Sequence, residues 1–223
     1  MSARADGSAR PAQDSGGDRR PAPGITGVIL AGGQGRRMGH VDKGLQPFRG
    51  RPMVAAVLER LRPQVAAVLI NANQNRGRYE EFGCPVVSDE LQGFAGPLAG
   101  LHAALGRAET ALVLTVPCDS PMLPLDLAAR LHAGLSEAGA DLAVARTFDQ
   151  AHPVFALVRT QVRGHLDRFL AAGGRKIDAW YASLATVEVA FDDEADGFAN
   201  INTLDELADF EAGRGGGAAG GRR

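Results

Sequence analysis

The stretch Ile25 to Gly44, ITGVILAGGQGRRMGHVDKG, decides how the rest of the chain is read. Ile25, Val28, Ile29 and Leu30 make a short apolar, β-branched run of the kind that becomes a buried strand. The run empties into Ala31, Gly32, Gly33 and Gly35, where the backbone must turn sharply and where the absence of a Cβ lets successive N–H groups approach phosphate oxygens. Arg36, Arg37 and Lys43 then add positive charge. The segment has the makings of a site for a nucleoside triphosphate.

Two familiar glycine motifs are excluded at once. The dinucleotide-binding pattern requires a third glycine where Met38 stands, and the Walker pattern requires Gly-Lys-Ser/Thr, whereas Lys43 is followed by Gly44 and Leu45. Lys43 is also unusual in its composition: of 24 cationic side chains only Lys43 and Lys176 are lysine. A compact ammonium is a point charge for phosphate that arginine replaces poorly. An ordinary surface lysine is the plain alternative at this position.

Downstream, strands and helices alternate as in parallel α/β sheets. Pro52 opens a helix whose Met53, Val54, Val57, Leu58 and Leu61 share one face. Strands are predicted over 65–70, ending in Asn71, Ala72 and Asn73, and over 85–88, ending at Asp89. Pro97 starts a helix over 98–108, and the apolar run 111–116 is the strongest central strand, leading into PCDSP at 117–121. Further helices are expected over 124–138, 161–171 and 176–184, with strands over 141–145, 154–158 and 186–191. Thr203 and Glu206 form a capping box for a last helix. The fold class that follows is α/β, a three-layer α/β/α sandwich on a mostly parallel, Rossmann-like sheet. Ligands of such sheets sit beyond the carboxyl ends of the strands, which puts Asn71, Asp89 and Asp119 in the functional position.

Asp119 follows a buried strand and suits a magnesium ion shared with phosphates, since Mg2+ is commonly held by one or two carboxylates plus phosphate oxygens and water. The turn made by Ser120, Pro121 and Pro124 also gives a carboxylate a structural use there. His40, His102, His132 and His165 have no metal-ligand spacing, and Cys84 and Cys118 lack a CxxC arrangement, which fits a reducing, cytoplasmic setting without a structural metal. Cys118, Trp180 and Tyr181 read as packing residues rather than as a nucleophile or base-stacking platform.

With 45% apolar and 22% charged residues, the composition is that of one ordinary globular domain, spanning 25–210. Residues 1–24 and 211–223 are rich in Gly, Ala and Arg with no apolar run, and both read as disordered tails. The first has no signal-peptide core, and no apolar stretch is long enough to cross a bilayer. The chain is −2 overall and both tails are positive, leaving the domain at about −5. That balance argues against a nucleic-acid partner and for a small substrate.

LAGGQGRRMGHVDKG resembles the signature of nucleotidyltransferases with the GT-A-like fold. Together with NAN at 71–73, GPLAGL at 96–101, PCDSP at 117–121 and NINTLDEL at 200–207, the chain resembles the MobA-type molybdenum cofactor guanylyltransferase family from about Ile25 to Phe210. The resemblance implies transfer of GMP from GTP to a phosphate of Mo-molybdopterin, with release of pyrophosphate. It implies GTP contacts at Leu30, Ala31, Gly32, Gly33, Lys43, Asn71, Asp89 and Asp119, with magnesium on Asp119 and with Arg37, Lys43 and Asp119 as the catalytic set. It divides the domain into a GTP-binding half, 25–120, and an acceptor-binding half, 121–210.

Asn200 and Asn202 stand on the acceptor side, where they could meet nucleotide and pterin edges or serve local turn bonding. His152, Pro153 and several arginines of this half could also face a polyanionic pterin, and none is singled out. The expected partners are GTP and Mo-molybdopterin, with no nucleic acid and no membrane. The chain is expected to act as a monomer with transient contacts to cofactor-maturation proteins. Use of CTP on molybdopterin, activation of a sugar phosphate or another phosphorylated acceptor, and nucleotide binding without transfer are the competing readings.

Overall fold

The structure, a computed structural model, describes residues 24–31, 42–90 and 96–201. Gly32, Gly33, Arg37 and Asn202, the capping box at Thr203 and Glu206, and all of both tails except Gly24 lie outside the described residues. The chain order is β1 (Ile25–Leu30), β2 (Pro47–Phe48), β3 (Arg51–Pro52), α1 (Met53–Leu61), β4 (Ala67–Asn71), α2 (Arg76–Glu80) and β5 (Val86–Val87). It continues through α3 (Pro97–Arg107), β6 (Leu112–Pro117), α4 (Leu127–Glu137), β7 (Leu142–Thr147) and β8 (Gln150–Arg159). α5 (Arg163–Ala171), α6 (Ile177–Tyr181) and β9 (Thr186–Ala190) complete it.

Seven strands form one sheet in the order β5-β4-β1-β6-β8-β7-β9. All neighbours pair in parallel except β8, which runs against both β6 and β7. Alternate side chains leave each strand on opposite faces, and both faces are buried. On one face Ile25, Ile29, Ile70, Leu114, Val116 and Leu157 pack with α1 and α4. On the other Val28, Leu69, Val113, Val144 and Val158 pack with α3, α5 and Trp180 of α6. The result is the expected three-layer α/β/α sandwich. Trp180 is fully buried and its indole N–H donates to His165 Nδ1 at 3.0 Å, a packing role as read from the sequence.

Several boundaries differ from the sequence reading, each for a local reason. The helix expected from Pro124 begins at Leu127, because buried Gln64 intervenes: its amide donates to the Pro124 carbonyl and its oxygen accepts from Ala128 N–H. That side chain, 64 residues back, satisfies an opening N–H of α4 that no local cap reaches. The strand expected over 154–158 starts at Gln150 and pairs with β7 across the two-residue turn Phe148–Asp149. Pro153 hid this extension, but the register slips there, Val144 pairing Ala156 and Ala145 pairing His152. In such a bulge a residue without an N–H is tolerated. The short hairpin β2–β3, with Arg49 and Gly50 at positive φ, and the five-residue α2 carried too little periodicity to be read.

The chain runs outward from β1 to β4 and β5 and then returns through α3 to β6 on the other side of β1. The connections diverge between β1 and β6, and a crevice opens at the carboxyl ends of such strands.

Candidate active site

In register, Leu30 at the end of β1 lies between Asn71 of β4 and Pro117 of β6. The three strand ends therefore span about 10 Å, two strand spacings. Leu30 and Ala31 form the floor: the Leu30 carbonyl accepts from Cys118 N–H (3.2 Å) and Ala31 N–H donates to the Asn71 carbonyl (2.8 Å). Those two backbone groups are thus engaged within the sheet.

On the β6 side, Lys43 Nζ donates to Asp119 Oδ2 at 3.0 Å across 76 residues of sequence. The lysine side chain is 26% exposed and the aspartate 12%, so the pair is open at one edge and partly screened. Lys43 opens a 3₁₀ turn over Lys43–Leu45, and Asp119 follows the Pro117 end of β6. Gly44 is required in that turn, because a Cβ there would stand 2.5 Å from Tyr79 Oη and 3.3 Å from Cys118 Cβ.

Cys118 is buried beneath the pair. Burial, followed by the Asp119 and Asp42 carboxylates, pushes its thiol well above the ordinary range against the opposing pull of Lys43. It stays a protonated packing group and not a nucleophile.

On the β4 side, Asn71 is buried and its amide donates to Asp89 Oδ1 (2.9 Å) and to the Val87 carbonyl (3.3 Å). Asn73 closes the arrangement, donating to Asp89 Oδ2 (2.8 Å) while its oxygen accepts from Asp89 N–H (2.9 Å). Both carboxylate oxygens of Asp89 are thereby held, so its direction is set before any ligand arrives. Helix α3 passes close enough that a Cβ at Gly100 would collide with Asn71 Oδ1 and stand 2.8 Å from Leu30 Cδ2.

The far wall comes from the segment after the last described turn. Asn200 Oδ1 accepts from the buried Ser120 hydroxyl at 2.6 Å, and Ile201 N–H donates to the Asp119 carbonyl at 2.9 Å. Asn200 is thus brought beside Asp119. This bond ties the 199–201 segment to the loop after β6, a structural use that spans 80 residues rather than the local turn bonding raised by the sequence.

Lys43, Asn71, Asp89, Asp119 and Asn200 converge at the carboxyl edge, with Leu30 and Ala31 beneath them. Four contributors escaped sequence reasoning. Asp42 and Asn73 stood in quoted motifs without a role, Ser120 was read only as a turn residue of PCDSP, and Tyr79 carried no signal; the partners of the last two lie 80 and 37 residues away.

Among the described residues no group of three or more His, Cys, Asp or Glu side chains could cage a metal ion. A single screened carboxylate at a strand end instead suits an ion that brings its remaining oxygens with a substrate's phosphates. Among the described residues no helix is long and apolar enough to cross a membrane.

Residues 27–187 match a sequence family described as the MobA-like NTP transferase domain. A protein of Ralstonia nicotianae called molybdenum cofactor guanylyltransferase is 55% identical over 196 residues, covering 84% of this chain and 96% of its own. One of the same name from Cupriavidus pinatubonensis is 52% identical over 194 residues, covering 85% and 97%. Among solved structures, molybdopterin-guanine dinucleotide biosynthesis protein A of Archaeoglobus fulgidus is similar at a TM-score of 0.70 and 26% identity, covering 84% of this chain and 97% of that one.

Proposed function

The chain belongs to the family of MobA-like NTP transferases, and we propose that it transfers GMP from GTP to a phosphate of Mo-molybdopterin, forming the guanine dinucleotide and pyrophosphate. The observation that carries the transfer chemistry is the Lys43–Asp119 contact at the divergence of β1 and β6, with Asp89 held on the β4–β5 side of the same sheet edge. The base and the acceptor rest on the relatives' shared name, which favours GTP over CTP.

An acceptor phosphate oxygen attacks the α-phosphorus in line, and the bond from that phosphorus to the β-phosphate bridging oxygen breaks. No covalent enzyme intermediate is needed, so positioning and charge neutralisation carry the rate. Lys43 meets the negative charge that grows on the departing pyrophosphate, and Arg37 shares that task. Asn71 and Asp89 present acceptor oxygens suited to the N1–H and N2 amine of guanine. Leu30, Ala31, Gly32 and Gly33 provide backbone against the nucleotide, and Asn200 and Asn202 border the acceptor.

Nucleotidyltransferases of this kind generally work with a divalent metal. Magnesium is the ion proposed here, with Asp119 as its protein ligand, and when bound it offsets triphosphate charge. Residues 25–120 form the GTP half and 121–210 the acceptor half of one domain, which acts as a cytoplasmic monomer.

The test supplies purified protein and magnesium with Mo-molybdopterin and either GTP or CTP, then identifies the product. Guanine dinucleotide with stoichiometric pyrophosphate is expected. A cytosine dinucleotide alone, or GTP binding without pyrophosphate release, would overturn the reading.

A further inference from the structure

Asp42, immediately before the lysine, is held on every side. Its Oδ1 accepts from the Tyr79 hydroxyl at 2.5 Å and its Oδ2 from Asn75 Nδ2 at 3.0 Å. Its carbonyl accepts from Leu45 N–H at 3.2 Å and from Gln46 Nε2 at 3.3 Å. Asn75 holds its end of this arrangement from a left-handed backbone, φ +50°, that costs little for asparagine and more for most residues.

Tyr79 has no solvent exposure, and a buried phenol without a partner is costly. Burial in the first place, then Cys118 and Asp42, push its pKa far up, so the phenol keeps its proton and donates it. A short bond from a neutral donor to a carboxylate is among the stronger hydrogen bonds. The same hydroxyl also lies against the Cα of Gly44, one residue past the lysine. Asp42 and Lys43 are consecutive yet reach different partners, Asp42 the phenol and Lys43 the Asp119 carboxylate.

We propose that Tyr79 is a positioning residue for Lys43. Acting through Asp42, it is the post on which the lysine turn sits, fixing where the ammonium stands relative to the triphosphate. The role rests on the reading of Lys43 as the phosphate-binding lysine. Lys43 must trade its contact with Asp119 for phosphate during each cycle, and a pinned backbone lets the side chain move while its root stays in place. A misplacement of about 1 Å at a reacting centre can cost on the order of 100-fold in rate.

The test is a double-mutant cycle on the full chain, measuring GMP transfer with GTP, magnesium and Mo-molybdopterin. Tyr79→Phe is expected to lower kcat by about 10- to 100-fold, with KM for GTP within about twofold, because positioning is lost and ground-state binding is kept. In a Lys43→Ala background the same Tyr79→Phe change should move the residual kcat by less than about twofold, since residues acting as a unit are non-additive.

An unchanged kcat for Tyr79→Phe, or an equal loss in both backgrounds, overturns the positioning role and leaves the function of Lys43 standing. Full activity of Lys43→Ala overturns the lysine reading itself. Should Tyr79→Phe fail to fold, Asp42→Ala enters the same cycle: it removes the carboxylate that accepts the phenol and leaves the backbone carbonyl of the turn in place. The same non-additivity with Lys43→Ala is then expected, and additivity overturns the proposal.

Discussion

The carboxyl ends of β1, β4, β5 and β6 are furnished differently from the carboxyl end of β7 and the amino end of the reversed β8 beside it. In the first region, polar side chains hold one another: Asn71 and Asn73 grip Asp89, Asp42 receives Tyr79 and Asn75, and Lys43 rests on Asp119. In the second, rings hold one another. His152 stacks on Phe198 at 4.7 Å and 23°, Phe155 meets Phe198 edge-on at 4.8 Å, and Phe191 meets it at 5.2 Å. The difference follows from backbone direction. Parallel strands arrive with their carboxyl ends together and can point polar residues at one ligand, whereas the bulge at 153–155 turns the start of β8 aside and fills the space with aromatic packing. The first region holds its charged side chains in set directions, and the second is a ring-lined wall.

The hardest blow to this contrast falls on the lysine–carboxylate pair. Lys43→Ala and Asp119→Ala are each expected to lower kcat for GMP transfer by on the order of 100-fold or more, the usual result of deleting a charge aimed at the transition state. Both variants should stay folded with a modest drop in melting temperature, because the Asp119 side chain is only 12% exposed and losing one partner leaves the other partly desolvated. Steady-state kinetics and thermal melts on the same preparations check both halves of the statement. An Asp119→Ala enzyme with parental turnover would remove the metal assignment.

Next in size is Gly100→Ala, which tests whether the polar edge depends on a close helix approach. The added methyl would push on Asn71 Oδ1 and Leu30 Cδ2, so Asn71 must move off Asp89 or α3 must retreat. Overpacking of this kind costs about 1–3 kcal/mol. We expect a matching loss in chemical denaturation together with a KM for GTP raised by about 10-fold, the nucleotide side suffering more than the acceptor side. A destabilised protein with an unchanged KM for GTP would show that the Asn71–Asp89 contact is scaffolding alone.

How much of this was legible in the sequence differs between the regions for the same physical reason. A buried strand ending in a polar residue is a local pattern, so Asn71, Asp89 and Asp119 could be placed at the sheet's edge, and the continuous burial of β1 and β6 could be read from their apolar runs. The reversal of β8 was not legible, because side-chain alternation has the same period in either strand direction and Pro153 masked the first half of the strand. Nor were the clamps. Tyr79 to Asp42, Ser120 to Asn200 and Gln64 to Ala128 join residues 37, 80 and 64 apart, and nothing local in a tyrosine, serine or glutamine announces such a partner. Lys43 drew notice by its rarity, but its 3₁₀ turn and the need for glycine behind it become visible only once Tyr79 and Cys118 are seen beneath.

A smaller effect is expected from Asn73→Ala, which sharpens the comparison by removing one of the two grips on Asp89. The bond it donates and the bond it accepts are both exposed, so water takes them over at a cost of about 1 kcal/mol. KM for GTP should rise about threefold to fivefold with kcat held, the signature of lost ground-state binding. A fall in kcat at constant KM would instead place Asp89 among the groups that act in the transition state.

The smallest expected effect belongs to the aromatic wall and is a matter of pH. Burial lowers the pKa of His152 below its ordinary value of 6.5, and Nε2 lies 2.7 Å from the Thr147 hydroxyl in a ring stack that suits the neutral imidazole. Between the folded pKa and 6.5 the unfolded chain binds more protons than the native one, so stability must fall as pH drops through that window and level off below it. In His152→Phe this contribution disappears while the stack on Phe198 persists, so the variant should lose less stability than the parent between pH 7 and pH 5. Denaturant titrations of both proteins at a series of pH values decide it. Because no charge enters the wall above pH 6.5, GMP transfer by the two proteins should respond alike to pH from 7 upward. If His152→Phe alone altered that limb of the profile, the ring-lined region would have to be counted with the polar edge as part of the proton chemistry.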